Sequence, residues 1–163
     1  NMEAFIRGGG QEKGIRPGTE NLAGVLALSG CLKKYYENLD GYVCHAKELM
    51  DFLIEELSGI EGLIFIPEAR PQLKDKFSPW ILQFAVKELT GEVLVRCLSE
   101  KGICISTGSA CSSKKQTRPV LEAMKIDAKV QQNSVRVSIG PLTQKNEFEI
   151  FVKTLKEALI EFR

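Results

Sequence analysis

The chain has almost no net charge of either sign. The 163 residues carry 22 lysines and arginines against 21 aspartates and glutamates, a formal +1. With no field of one sign, the sequence offers no electrostatic footprint for nucleic acid or for a membrane surface. No apolar run approaches the roughly 20 residues a bilayer span needs. No secretory leader pattern opens the chain, so a cytoplasmic location is expected. There is no internal repeat and no low-complexity segment. The five cysteines, at positions 31, 44, 97, 104 and 111, are odd in number and never spaced Cys-x-x-Cys. That spacing argues against a disulfide framework and against a four-ligand zinc site, and no metal is expected. The single histidine, His45, stands within a helical pattern without a partner motif and reads as a structural or surface residue.

What is present suits one globular domain. Hydrophobic residues make up 44% and charged residues 26%, enough for a core and a normal solvated surface. The opening Asn1-Met2 reads as the start of a piece of a larger protein. Residues 1–19 form a glycine-rich arm around Gly8-Gly9-Gly10, where glycines permit unusual backbone angles. Residues 20–163 form the body.

In the body, apolar spacing predicts a helix over 20–39, capped by Thr19, with Leu22, Val25, Leu26 and Leu32 on its inner stripe. Gly41 breaks it, and a second helix over 42–58 follows. Strands are expected at 63–66, 81–86, 103–106 and 134–139, the last from its strict alternation of Val135, Val137 and Ile139 with Ser134, Arg136 and Ser138. Further helices are expected at 91–101, at 119–124 with Pro119 in the first turn, and from Thr143 to about 162. Cys31, Cys44 and Cys97 read as small buried hydrophobes, and Cys104 as pointing inward. The order of elements predicts an α+β fold, a small mixed or antiparallel sheet covered by helices on one side.

One thiol stands apart. Cys111 lies in Ser106-Thr107-Gly108-Ser109-Ala110-Cys111-Ser112-Ser113, a run of small residues that gives it a loop address. Lys114, Lys115 and Arg118 follow, and cationic neighbours favour thiolate over thiol. An accessible, activated thiol points to nucleophilic sulfur chemistry.

Three motifs occur in order. They are Gly8-Gly9-Gly10-Gln11-Glu12-x-Gly14-x-Arg16-x-Gly18-Thr19-Glu20-Asn21, then Ser106-Thr107-Gly108-Ser109-Ala110-Cys111, then Ser134-Val135-Arg136-Val137-Ser138-Ile139-Gly140. Together they resemble the C-terminal part of a cysteine desulfurase of the NifS/IscS-like type, in the class V, fold-type I group of pyridoxal-phosphate enzymes. The resemblance covers essentially the whole chain and implies the C-terminal small domain of that fold, with 1–19 as the arm from a large domain. It implies that Cys111 takes sulfur from L-cysteine as a persulfide, leaving L-alanine. Arg136 would hold the substrate carboxylate, a task for a planar guanidinium fork that lysine does not reproduce. Thr19 would reach the cofactor phosphate of the neighbouring subunit in a homodimer. The persulfide would pass to an acceptor protein, a scaffold for iron-sulfur assembly or a tRNA-thiolation enzyme.

The resemblance also marks a gap. In the family the lysine that binds pyridoxal phosphate follows a Ser-x-His pattern in the large domain, and no such pattern occurs in these 163 residues. A chain without that lysine is expected to be inactive alone. A selenocysteine lyase, another class V enzyme such as an aminotransferase, and a non-catalytic sulfur-carrier module are the competing readings. An aminotransferase needs no thiol at position 111.

Overall fold

The computed structural model describes residues 3–108 and 118–162. Cys111, Lys114 and Lys115 lie outside the described residues. The chain forms two compact units, Asn1–Asp40 and Gly41–Arg163.

The first unit holds a tight turn at Gln11–Gly14 and helix α1, Leu22–Glu37. Asn21 caps α1, its side chain accepting from the Gly24 N–H at 3.0 Å. The expected cap, Thr19, lies two residues before Asn21. Asn38 closes α1 by donating its side-chain amide to Lys34 O and its backbone N–H to Tyr35 O. The helix break therefore falls at Asn38. Gly41 lies inside the next helix, α2, Leu39–Ser58. The apolar stripe of α1 is not a core: Leu22, Val25, Leu26 and Leu32 are each about three-fifths exposed, because the described residues of this unit form no long helix or strand to cover them. Cys31 is exposed for the same reason.

The second unit is built on a three-stranded antiparallel sheet in the order β1–β2–β3, with β1 Leu63–Ile66, β2 Ile81–Val86 and β3 Ser134–Ser138. The register places Phe65, Phe84 and Val135 in one row and Leu82 with Val137 in the next. Since side chains alternate across a pleated strand, these rows form one apolar face. Helix α2 lays Leu49, Met50, Leu53 and Leu57 on it. Helix α3, Gly91–Glu100, adds Leu94 and Leu98, and α6, Lys145–Glu161, adds Phe148, Phe151, Val152, Leu155 and Leu159. Gln144 caps α6 through a reciprocal capping box with Glu147. Thr143, where the helix was expected to start, instead accepts from the Gly140 N–H at 3.0 Å.

The opposite face carries two short helices, α4 at Pro119–Ala123 and α5 at Ala128–Asn133. Helix α5 was not anticipated; its single strong signal is the Asp127 cap, whose carboxylate accepts from the Lys129 and Val130 N–H groups. A smaller apolar cluster of Ile66, Ala85 and Leu121 sits there. Asn133 ties the end of α5 to the end of β2, donating to Val86 O and Lys87 O at 2.8 Å each.

The expected strand at 103–106 reduces to one bridge, Ser106 with Arg136. Cys104 is exposed and Cys97 half-buried. Cys44 faces outward on α2, within 3.7 Å of Glu48 Oε1. All three depart from the inward placement expected, because the core-facing stripes are already filled by larger side chains. His45 is a structural residue, its Nε2 lying 2.8 Å from Thr143 O.

Candidate functional site

Strand β3 gathers the polar residues on the face turned away from the main core. Because Val135 and Val137 point into that core, Ser134, Arg136 and Ser138 point the other way. Gln83 of β2 is the direct cross-strand partner of Arg136, so the two share this face. Arg136 is held rigidly at its backbone, donating its N–H to Ser106 O at 2.6 Å and accepting from Ser106 N at 3.1 Å.

Its side chain has a different status. Arg136 Nε is buried and has no hydrogen-bond partner among the described residues. A buried guanidinium N–H without an acceptor is costly, and native structures rarely leave one. An anion is one chemistry that would supply such an acceptor. A carboxylate matches the planar fork.

Ser134 is the junction beside it. It is fully buried. Its Oγ donates to Gln131 O at 3.0 Å and accepts from Gln83 Nε2 at 3.2 Å. It also accepts from Arg118 Nη1, which reaches Ser134 O at 3.1 Å as well. A hydroxyl has one donor and two acceptor positions, so this one is saturated. Burial lowers the pKa of the Arg118 guanidinium, and Glu92 partly raises it again; arginine stays charged through such changes. Arg118, one of the cations that follow Cys111 in the sequence, packs onto the start of β3; the thiol itself lies outside the described residues.

Ser106 and Gly108 form the other border of 109–117. Ser106 Oγ accepts from the Gly108 N–H at 2.9 Å and donates to Gly108 O at 3.0 Å. The residues on both sides of that segment therefore contact β3, Ser106 at Arg136 and Arg118 at Ser134. Gly91, at the start of α3, makes room for this arrangement. A Cβ there would stand 2.5 Å from Ser134 O and 3.3 Å from Thr107 Cγ2. Gly91→Ala should therefore push α3 from β3 and destabilise the fold by about 1–3 kcal/mol, the usual range for overpacking, as read by denaturant unfolding; an unchanged midpoint would show that the contact relaxes freely.

Thr19 lies in the first unit and is exposed. Arg16 Nη1 donates to Gly18 O at 3.2 Å and to Thr19 O at 3.1 Å, and Gly18 adopts φ +102°, a conformation suited to glycine. The turn fixes the Thr19 backbone and leaves its hydroxyl without a hydrogen-bond partner among the described residues. That donor, next to a guanidinium, fits a phosphate oxygen. Among the described residues no three potential ligands cluster as a metal site, and no helix is long and apolar enough to cross a membrane.

Residues 7–151 match the family described as aminotransferase class-V. A NifS/IcsS protein homolog of Lactobacillus delbrueckii subsp. bulgaricus is 35% identical over 97% of the chain and 40% of its own length. A selenocysteine lyase of Rattus norvegicus is 32% identical over 95% of the chain and 36% of its own length. Cysteine desulfurase IscS of Dictyoglomus turgidum is 27% identical over 99% and 40%. A solved structure titled NifS-like protein superposes with a TM-score of 0.79 at 29% identity, over 96% of this chain and 38% of that one. The chain thus spans about two fifths of the length of the curated relatives it matches.

Proposed function

Because the chain belongs to the aminotransferase class-V family, we propose that it is the small-domain part of a pyridoxal-phosphate-dependent cysteine desulfurase. Residues 1–19 serve as the arm and 20–163 as the domain. The observation that carries the reading is the buried Nε of Arg136, without a hydrogen-bond partner among the described residues, placed on a strand that also receives the residues bordering the Cys111 segment.

In this reading Arg136 holds the carboxylate of L-cysteine and so fixes the direction of its Cα–Cβ bond. Cys111 acts as the thiolate. Its Sγ forms a bond to the substrate sulfur as the Cβ–S bond breaks, the carbon takes a proton, and L-alanine leaves. The extra sulfur stays on Cys111 as a persulfide until an acceptor thiol takes it, a scaffold for iron-sulfur assembly or a tRNA-thiolation enzyme. Thr19 and Arg16 would contribute donors to the phosphate of a cofactor in the neighbouring subunit of a cytoplasmic homodimer. Pyridoxal phosphate, when bound, supplies the electron sink that weakens the Cβ–S bond.

The chain on its own carries no recognisable cofactor lysine, so mixing it with pyridoxal phosphate and L-cysteine should give no sustained L-alanine. Continued alanine release, followed by chromatography over many turnovers, would contradict the assignment of the lysine to another part of the enzyme.

A second reading has its own support in the 32% identity to a selenocysteine lyase. The longer enzyme should turn over L-cysteine with a Cys111 persulfide. Turnover of L-selenocysteine alone, with no persulfide on Cys111, would favour the lyase.

A further inference from the structure

We propose that Arg118 is a positioning residue for sulfur transfer, deepening the reading above and resting on it. Arg118 is the first described residue after 117, and its guanidinium bonds both the carbonyl and the hydroxyl of Ser134. Ser134 begins β3 and lies two residues before Arg136 on the same face. The saturated hydroxyl joins four pieces of chain at one point: residue 118 ahead of α4, Gln131 of α5, Gln83 of β2, and β3 itself. Gln83 is in turn the cross-strand partner of Arg136.

Both acceptors on Ser134, its carbonyl and its hydroxyl, are met by one nitrogen, Arg118 Nη1, so residue 118 is tied to the first residue of β3 at two atoms. No salt bridge holds Arg118 among the described residues; Glu92 acts on its charge through space, and its hydrogen bonds go to Ser134. The consequence is a fixed spacing between the chain leaving the thiol segment and the strand that grips substrate. Sulfur transfer is sensitive to such spacing, since a displacement of an ångström in reacting groups costs on the order of a hundredfold in rate. Arg118 touches neither substrate nor thiol in this scheme. It acts through Ser134.

The test compares Arg118→Ala, Arg118→Lys and Ser134→Ala in the full-length holoenzyme. Arg118→Ala should lower kcat by about tenfold or more while KM for L-cysteine changes less than about twofold, because Arg136 keeps its grip. Arg118→Lys, with its charge and a single donor group, should recover part of the loss, and Ser134→Ala should resemble Arg118→Ala. A second readout needs no cofactor. Glutathione persulfide is offered to the 163-residue chain, and the Cys111 thiolate attacks the outer sulfur, forming the new S–S bond as the donor S–S bond breaks and glutathione thiolate leaves. This loading should proceed equally in the wild type and Arg118→Ala, since positioning toward substrate is not used. An unchanged kcat in Arg118→Ala, or a loss of Cys111 loading equal to the loss in kcat, overturns the proposal. Absence of any persulfide on Cys111 in the wild-type holoenzyme instead overturns the desulfurase reading on which it rests.

Discussion

Cys111→Ser in the full-length enzyme should abolish persulfide formation and reduce L-alanine release from L-cysteine by at least about a thousandfold, a loss typical when a nucleophile acting within a catalytic unit is removed. The physical reason is specific to sulfur. A serine hydroxyl is not ionised near neutral pH, and an oxygen–sulfur adduct offers no sulfane sulfur to a later acceptor. A thiolate is both nucleophile and carrier. The other four cysteines make the contrast informative. Cys31, Cys44 and Cys104 are exposed and Cys97 is half-buried, so accessible thiols abound. If exposure alone sufficed, Cys111→Ser would retain persulfide on one of them. The fold should be unaffected, because the core is formed by α2, α3, α6 and the sheet. Circular dichroism and thermal unfolding of the serine variant should match the wild type.

The second large effect belongs to Arg136. Arg136→Lys keeps the charge but loses the planar fork. A hydrogen bond to a charged group is worth about 1.5–3 kcal/mol, so KM for L-cysteine should rise about tenfold to a hundredfold. Arg136→Ala should go further. A split between the constants separates this residue from Arg118, with KM moving at 136 and kcat at 118. Stability offers a second check. Arg136 Nε is a buried donor with no partner among the described residues, and such a group costs about 1–3 kcal/mol. Arg136→Met, which buries similar volume without the donor, should therefore be no less stable than the wild type in denaturant. A large loss of stability would mean that the guanidinium serves the fold.

Much of the second unit was legible because its physics is local. The alternation in Ser134–Ser138 and the short apolar runs at Leu63–Ile66 and Ile81–Val86 are strands in the structure. The inner stripe of α6, from Phe148 to Leu159, is buried as expected. Pro119 stands in the first turn of α4. The α+β class follows from these elements and is shared with the NifS-like structure.

What failed depended on partners that a pattern does not name. The stripe of α1 has the spacing of a buried face, yet Leu22, Val25 and Leu26 are exposed, since periodicity says that a face is apolar and not what covers it. Apolar periodicity points Cys31 and Cys44 inward, and a strand at 103–106 would do the same for Cys104, yet all three are exposed. The residues 103–106 are apolar enough for a strand, but only Ser106 meets Arg136. Thr19 and Asn21 are both capping types, asparagine the better of the two, and the cap falls at Asn21 through its bond to Gly24. At the site, Arg136 was visible from its motif. Ser134 and Gln83 were not singled out, and Arg118 was read only as a charge, because a contact across 16 or 51 positions leaves no periodic trace.

The most direct measurement is peptide mass spectrometry of the full-length holoenzyme after brief exposure to L-cysteine, with thiols capped at once. The peptide containing Cys111 should carry the mass of one additional sulfur atom, and the peptides containing Cys31, Cys44, Cys97 and Cys104 should not. Additional sulfur on one of those four instead, or on none of the five while alanine is produced, would contradict the assignment of the chemistry to position 111.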